Sequence, residues 1–331
     1  DALKTHTTGQ YNIAIGYKAM DDTNNAGGNS ANSNNNIAIG ANALGGPWAN
    51  AVSEFNVAIG TNSMAAALNA AINNTAVGYF SLNAITSGDN NIGIGSEAGG
   101  SLTSGIKNTI MGVQAGDAMT STNYTTLIGY QAGTAINATG ANGTVAIGYE
   151  ASQALTSGAN QVSIGYQAGK ALTTAANSVF IGYQAGLVHT GGENIAIGDR
   201  AFDDTDAGSN SLSSDKNVLI GAHALGGTLS DGQVRGTVAV GYAAMSNATM
   251  GGIDYNIAIG MESQQANTGG QNIAIGYATM KIADGAETGN VAIGTSVMDV
   301  LNNDGSDHNV VIGNYALRGG TGLLARNTVV G

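Results

Sequence analysis

The pentapeptide Asn12-Ile13-Ala14-Ile15-Gly16 recurs along all 331 residues of the chain, and the rest of the sequence connects its copies. Eighteen copies follow one another at intervals of 16 to 24 residues. So short a period, held for so many copies, predicts a solenoid in which each repeat forms one coil stacked on the last. The closing glycines of the copies are Gly16, Gly40, Gly60, Gly78, Gly95, Gly112, Gly129, Gly148, Gly165, Gly182, Gly198, Gly221, Gly241, Gly260, Gly276, Gly294, Gly313 and Gly331.

The residues before each closing glycine alternate in size. The position two residues before it is small or apolar in every copy and is alanine in ten, as at Ala14. Its two neighbours are aliphatic or β-branched, as at Ile13 and Ile15. A period of two puts the small residue on one face of a strand and the flanking pair on the other. A strand that is apolar on both faces is typical of a parallel sheet, so we expect an all-β, parallel β-solenoid of about 18 coils.

The same alternation predicts an oligomer. One narrow coil can cover only one face of its own strand, and a single coil is too small to be stable alone. We expect the small-residue row, which includes Ala14 and Phe180, to be covered by neighbouring copies of the chain. A cyclic homo-oligomer covers such a face with one repeated surface.

Three further positions of the repeat have predicted roles. Asparagine stands four residues before the closing glycine in 13 of 18 copies, as at Asn12, and stacked copies can form a hydrogen-bonded ladder. The closing glycine is expected to take a positive φ or to permit close approach of two chains. Tyrosine follows it in eight copies, as at Tyr17, and is interpreted as a packing residue. Two residues later, a small residue such as Ala19 is expected to point inward, at a second short strand or a tight corner.

Composition excludes several classes of function. The chain has 10 basic and 22 acidic residues, a net charge of −12, which argues against binding to nucleic acid or an anionic membrane. It has no cysteine, hence no disulfide framework and no thiolate metal site. No apolar run approaches the roughly 20 residues of a membrane span, so this segment is not expected to insert into a membrane.

Residues 1–331 are interpreted as a single continuous array with a second order of repetition. The sequence AMDDT from Ala19 and AFDDT from Ala201 each begin a long gap between copies. Residues 16–197 therefore form a first block of ten coils, and residues 198–331 form a second, incomplete block. Long gaps are expected to be loops, where binding residues tend to lie. Neither end resembles a capping repeat, so we expect the sequence to be part of a longer fibre.

The acidic residues of these gaps are the candidates for a metal site. Calcium prefers several oxygen ligands on a flexible loop, which a DDTD sequence followed by glycine can offer. A solvated loop that caps its own turn explains the same residues equally well. The candidate calcium ligands are Asp21, Asp22, Asp203, Asp204 and Asp206.

The single tryptophan and the four histidines are the remaining residues considered for binding or catalysis. Trp48, the only tryptophan, lies in a long gap and is a candidate receptor contact that could stack on a sugar ring; the alternative is that it holds the loop against the solenoid. The four histidines fall at scattered places, and the sequence has no nucleophile elbow and no histidine pair at metal-ligand spacing. We therefore predict no catalytic or cofactor-binding residue and no enzymatic activity.

The pattern N-[IV]-A-[IV]-G-x-x-A resembles the head repeats of trimeric autotransporter adhesins of the YadA-like type. The corner Tyr130-Gln131-Ala132-Gly133, repeated from Tyr166 and Tyr183, resembles repeats of bacteriophage tail fibres. The resemblance covers nearly the whole chain and implies a left-handed β-roll, three chains wound about one axis, and attachment at a cell or virion surface. No binding residue carries over, because the matching positions are structural.

The expected function is therefore structural. We expect an extracellular or virion-surface homotrimeric fibre segment, most simply from a phage tail or surface fibre, that attaches to a receptor or glycan on a host cell. A bacterial adhesin head is the alternative. A carbohydrate-binding or polysaccharide-degrading solenoid is an alternative of another class, and a groove of aromatic and carboxylate side chains would favour it.

Overall fold

The computed structural model describes residues 1–6, 8–23, 29–49, 51–137, 139–203, 213–227, 233–247, 253–267, 269–283, 287–301, 306–318 and 325–331. The chain divides into two compact units, Asp1–Gln161 and Val162–Gly331. Each unit is all-β and is a parallel β-solenoid of short strands joined by turns. The predicted all-β, parallel β-solenoid class is therefore confirmed.

The first unit contains eight three-residue strands, one before each closing glycine. Each strand pairs in parallel with the next, so the chain climbs one coil per strand. Two short 3₁₀ helices, Asn29–Asn32 and Thr139–Ala141, lie between strands. The strands are β1 (Ile13–Ile15), β2 (Ile37–Ile39), β3 (Val57–Ile59), β4 (Thr75–Val77), β5 (Ile92–Ile94), β6 (Thr109–Met111), β7 (Thr126–Ile128) and β8 (Val145–Ile147).

The second unit repeats this arrangement with ten such strands and adds a second sheet of three two-residue strands, paired in parallel. The ten are β9 (Val162–Ile164), β10 (Val179–Ile181), β11 (Ile195–Ile197), β12 (Val218–Ile220), β13 (Val238–Val240), β14 (Ile257–Ile259), β16 (Ile273–Ile275), β18 (Val291–Ile293), β20 (Val310–Ile312) and β21 (Thr328–Val330). The second sheet consists of β15 (Ala266–Asn267), β17 (Ile282–Ala283) and β19 (Val300–Leu301).

An asparagine ladder runs beside the strands, as the sequence predicts. The side-chain oxygen of Asn56 accepts hydrogen bonds from the backbone N–H and the side-chain amide of Asn74, at 3.0 and 3.1 Å. Asn74 receives the same two bonds from Asn91, at 3.0 Å each. All three side chains are fully buried, so these bonds satisfy polar groups that would otherwise lack water. The ladder therefore fixes the register between successive coils.

The closing glycines form a column that no other residue can occupy. Gly112 and Gly129 both have a φ of 137°, a value that L-residues rarely adopt. A Cβ atom on Gly112 would lie 2.2 Å from the carbonyl oxygen of Gly129 in the next coil. Both predicted reasons for glycine, a positive φ and a close approach of two chains, are therefore confirmed.

The direction of the small-residue row differs from our expectation. Ala38, Ala58 and Phe180 belong to this row and are fully buried within the single chain, so the row faces the inside of its own coil. The flanking residues point outward and stay partly exposed, as Ile59 does at 37%. The prediction that neighbouring copies cover the small-residue row is therefore wrong. The physical reason is size, because the interior of a coil is narrow.

Size complementarity across the coil shows how narrow the interior is. The residue four positions after the closing glycine faces the small-residue row and is large opposite nine of the ten alanines of that row, as in the pair Ala58 and Met64, both fully buried. Phe180 is instead matched by Gly186, where a Cβ atom would lie 2.7 Å from the phenyl ring. The strand residue and the residue four positions after the closing glycine therefore share one space inside the coil. Close packing of this kind couples the sizes of the two positions, and the coil with Leu219 and Leu225, both fully buried, holds two side chains of intermediate size.

The corner after the strand is a turn with left-handed residues. Gln131 has a φ of 52° and Ala132, next to it, is fully buried. The expectation of a small inward residue at the corner is therefore confirmed, with Val297 as a fully buried larger member.

Candidate functional site

The outward sides of the strands form an apolar surface on each unit, which we call the aliphatic face. It consists of the residues one and three positions before each closing glycine, in β1–β8 of the first unit and in the ten corresponding strands of the second. Ile59 and Met111 of the first unit are each 37% exposed, and Ile220 and Ile259 of the second are 38% and 39% exposed. An apolar surface repeated strand after strand is unusual on a monomeric protein and is typical of an interaction site.

Tyrosines line one edge of this face. The rings of Tyr130 and Tyr149 stack with their centroids 5.4 Å apart, and those of Tyr166 and Tyr183 stack at 5.2 Å. Each of the four is 41% to 44% exposed. The packing role predicted for these tyrosines agrees with the stacking, while the exposed ring surface remains open to a partner.

Beside the tyrosines runs a ladder of long polar side chains. Glu97 accepts a hydrogen bond from the side-chain amide of Gln114 at 2.8 Å, and Gln114 accepts one from Gln131 at 2.9 Å. Asp117 lies near this ladder, and burial, together with the negative charge of Glu97, raises the pKa of its carboxyl. We call this row, two residues after the closing glycine, the polar ladder.

The acidic pair Asp21 and Asp22 lies at the surface of the first unit. The carbonyl oxygen of Asp21 accepts hydrogen bonds from the backbone N–H and the hydroxyl of Thr5, at 3.2 and 2.7 Å. One carboxylate oxygen of Asp21 is buried without a hydrogen-bond partner among the described residues. Lys4 and Lys18 line the same cleft, so part of the negative charge that a divalent cation needs is already neutralised.

The remaining calcium candidates belong to the second unit. Asp203 is 6% exposed, and its carboxylate lies 3.6 Å from the guanidinium of Arg200. Asp204 and Asp206 lie outside the described residues. In the part of the chain that the structure describes, no three histidine, aspartate or glutamate side chains form a group that could hold a metal ion.

Calcium binding stays a prediction, and thermal melting tests it. If the acidic pair holds calcium, a chelator should lower Tm, because an ion that binds only the folded state stabilises that state. Asp21→Asn should remove the chelator effect, since it removes one charge from the candidate site. An unchanged Tm after chelation would exclude the metal at this pair.

Trp48 does not offer its ring to a receptor. Its side chain is fully buried, and its indole N–H donates a hydrogen bond to the carbonyl oxygen of Leu44 at 3.2 Å. Its backbone N–H donates to the carbonyl of Asp22 at 3.0 Å. The tryptophan therefore holds its loop against the solenoid, which is the alternative considered above, and the candidate receptor contact at this residue does not fit the structure.

Two histidines share a repeat position that the sequence analysis missed. His189 stands seven residues after Gly182, as the buried Leu172 stands seven after Gly165, and His189 is fully buried with its ring stacked on Phe202. His6 stands at the matching place before β1. Its ring bonds to Thr23 at 3.0 Å and accepts from the side-chain amide of Asn12 at 2.9 Å. Burial lowers the pKa of His6, and a hydrogen bond to the backbone of Ser33 partly offsets this. Comparison with the buried leucines of other coils could have found this position.

Comparisons with known proteins add no family to this description. No family model matches the chain, and no curated protein is significantly similar to it. No helix among the described residues is long and apolar enough to span a membrane. The aliphatic face and the surfaces beside it are therefore the features on which a function can be argued.

Proposed function

We propose that the chain is a segment of a homotrimeric fibre that is exposed at a virion or cell surface and serves attachment to a host receptor or glycan. The observation that carries the proposal is the aliphatic face. Water contacts its isoleucine, valine and methionine side chains in the single chain, and burial of apolar area contributes about 25 cal/mol per Å².

Self-association suits this face because of its repetition. The face presents two aliphatic or β-branched side chains on strand after strand, so a second copy of the chain carries a surface with the same spacing. Closed point-group symmetry allows each copy to bury this one surface. The number of three copies and the left-handed roll are supported by the resemblance of the repeats to adhesin heads and tail fibres.

Attachment is supported by composition and by the same resemblance. A net charge of −12 with 10 basic residues suits a soluble, exposed assembly and offers little to nucleic acid or an anionic membrane. We assign the chain no catalytic step. A receptor or glycan is the partner class that this role requires.

Substitutions on the aliphatic face test the assembly. The double variant Ile220→Glu, Ile259→Glu should convert the trimer into folded monomers, because it places two carboxylates in an apolar contact without changing the coil interior. Sedimentation velocity measures the mass, and circular dichroism checks the fold. Both residues belong to the second unit and are partly exposed.

The control is Thr174→Glu, which adds one such charge at an exposed position of the second unit outside the aliphatic face. It should leave the trimer intact. A native chain that sediments as a monomer at all concentrations, or a double variant that remains trimeric, would contradict the proposal.

A further inference from the structure

An open groove crosses three successive coils of the second unit. It encloses about 460 Å³ and lies over the corners that follow β16, β18 and β20. Tyr277 and Tyr315 stand at its two ends and are 46% and 54% exposed. Ala278 and Ser296 form its floor and are only 5% and 8% exposed. The volume falls within the roughly 300–1,000 Å³ that is typical of small-molecule sites.

The groove exists because the polar ladder is interrupted. In most other coils the position two residues after the closing glycine carries a long side chain, and several of these bond to a neighbour, as Gln184 does to Gln167 at 3.0 Å. Ala243 is also short, but the coils on either side of it carry long side chains there. In two successive coils of the second unit this position is Ala278 and then Ser296. The missing side chains leave a recess between the two tyrosines.

The charges along the groove are balanced, and one polar atom lacks a partner. Arg318 donates to one carboxylate oxygen of Asp299 at 2.7 Å, and Lys281 donates to Glu262 at 2.6 Å. The other carboxylate oxygen of Asp299 is buried and has no hydrogen-bond partner among the described residues. A buried acceptor left unpaired is unfavourable, so a small turn of the Asp299 side chain toward the groove would let this oxygen accept a hydrogen bond from an O–H or N–H group of a ligand.

We propose that this groove binds a neutral sugar, a hexose or an N-acetylhexosamine, through one hydroxyl group that donates to the carboxylate of Asp299 once its side chain turns toward the ligand. The C–H face of the pyranose ring stacks on Tyr315 or Tyr277, since aromatic rings offer apolar area together with a polar hydroxyl. Ser296 and the outer donors of Arg318 supply further hydrogen bonds. The inference rests on the proposed attachment function and names the partner class of one site within it.

A neutral sugar fits better than an acidic one. Both cations of the groove are already paired with carboxylates, so the site has no free positive charge for a ligand carboxylate. An acidic sugar would also bring its charge close to Asp299. We therefore expect neutral sugars to bind and N-acetylneuraminic acid to bind at least tenfold more weakly.

Filling the groove is the sharpest test. Ala278→Gln restores the side chain that other coils carry at this position, and the left-handed φ of 49° at Ala278 is close to the 52° at which Gln131 is accommodated. Binding of glucose, galactose, mannose and N-acetylglucosamine is measured by saturation-transfer NMR and by titration. The native chain should bind at least one of them with a Kd of about 1–10 mM, as expected for a ligand of this size.

Binding should fall at least tenfold in Ala278→Gln and in Tyr315→Ala. The matched control is Ala243→Gln, which introduces the same side chain at the equivalent, equally recessed position of an earlier coil outside the groove, where Ala243 is 6% exposed. It should bind sugar like the native chain. Absence of saturable binding to all four neutral sugars, or equal binding by Ala278→Gln, would overturn the proposal.

Sedimentation velocity on the same samples separates this inference from the proposed function. Ala278→Gln should remain trimeric, because the change lies off the aliphatic face. If the native chain is monomeric but binds sugar, the proposed trimer is wrong and the proposed sugar site stands. If the native chain is trimeric but binds no sugar, only the proposed sugar site is wrong.

Discussion

Replacing Phe180 with aspartate should unfold the coils around β10 and lower the free energy of unfolding by about 4–5 kcal/mol or more. Phe180 is fully buried, and the backbone of two coils packs against its ring: a Cβ atom at Gly169 or Gly186 would lie 2.9 or 2.7 Å from ring atoms. A carboxylate there has neither water nor a partner. Urea denaturation measures the loss, and amide exchange should show reduced protection in β9, β10 and β11.

A double-mutant cycle separates packing from charge. Phe180→Ala alone should cost about 3–5 kcal/mol, because it opens a cavity in the coil. Adding Gly186→Met should recover part of this loss, since alanine on the strand with methionine at the corner is the pair found at Ala58 and Met64. Methionine tolerates the left-handed backbone there, as Met64 does at a φ of 49°. Purely additive effects would contradict size complementarity across the coil.

Replacing Gly112 with alanine should cost about 4 kcal/mol or more, through backbone strain and a steric clash together. Its φ of 137° is unfavourable for alanine, and the added methyl group would lie 2.2 Å from the carbonyl oxygen of Gly129. The two coils must then separate, which breaks strand pairing between β6 and β7. Chemical denaturation of the native and variant chains measures the difference.

Gly143→Asn is the control for this prediction. Gly143 also has a positive φ, of 75°, but the nearest atom to an added Cβ is a side-chain oxygen of Asn160 at 3.1 Å. Asn160 itself occupies the equivalent place of the next coil with a φ of 55°. The control should therefore change stability by less than about 1 kcal/mol. Equal losses in the two variants would show that glycine flexibility alone, and not the contact between coils, explains the column.

Periodicity was sufficient to predict the strands that precede the closing glycines and their pairing, but not the second sheet of β15, β17 and β19. The recurrence of Asn-Ile-Ala-Ile-Gly specifies where each strand begins and ends, and the asparagine at its start pairs with the asparagine of the next coil. These features depend on neighbours that are related by the repeat itself. The repeat pattern of the sequence is therefore enough to predict these strands and their pairing.

Which face of the strand turns inward did not follow from hydrophobicity, because both faces are apolar and polarity cannot choose between them. The quantity that decides which face turns inward is the side-chain volume that the interior of the coil can hold. Two signals in the sequence carried it: the match of Phe180 with Gly186, and the threonines Thr75, Thr109 and Thr126 in the flanking row. A hydroxyl group is more easily accommodated on a partly exposed face than in a closed interior.

The sites were harder to predict because they depend on departures from the repeat. Trp48, the only tryptophan of the sequence, is buried by its own loop. The groove at Ala278 and Ser296 exists because two long side chains are missing there. A search for motifs detects residues that are present, so it does not detect such a gap. Aligning every coil and asking where a column loses its usual residue would have found it.

Loop length and strand register are independent in this protein. Ile13 pairs with Ile37, 24 residues later, and Val179 pairs with Ile195, 16 residues later, in the same parallel geometry. Eight residues can thus be gained or lost between strands (24 against 16) without altering their pairing. Such a scaffold can diversify in evolution by changing its connecting segments alone, and it can display inserted peptides at chosen heights for vaccine or biosensor design.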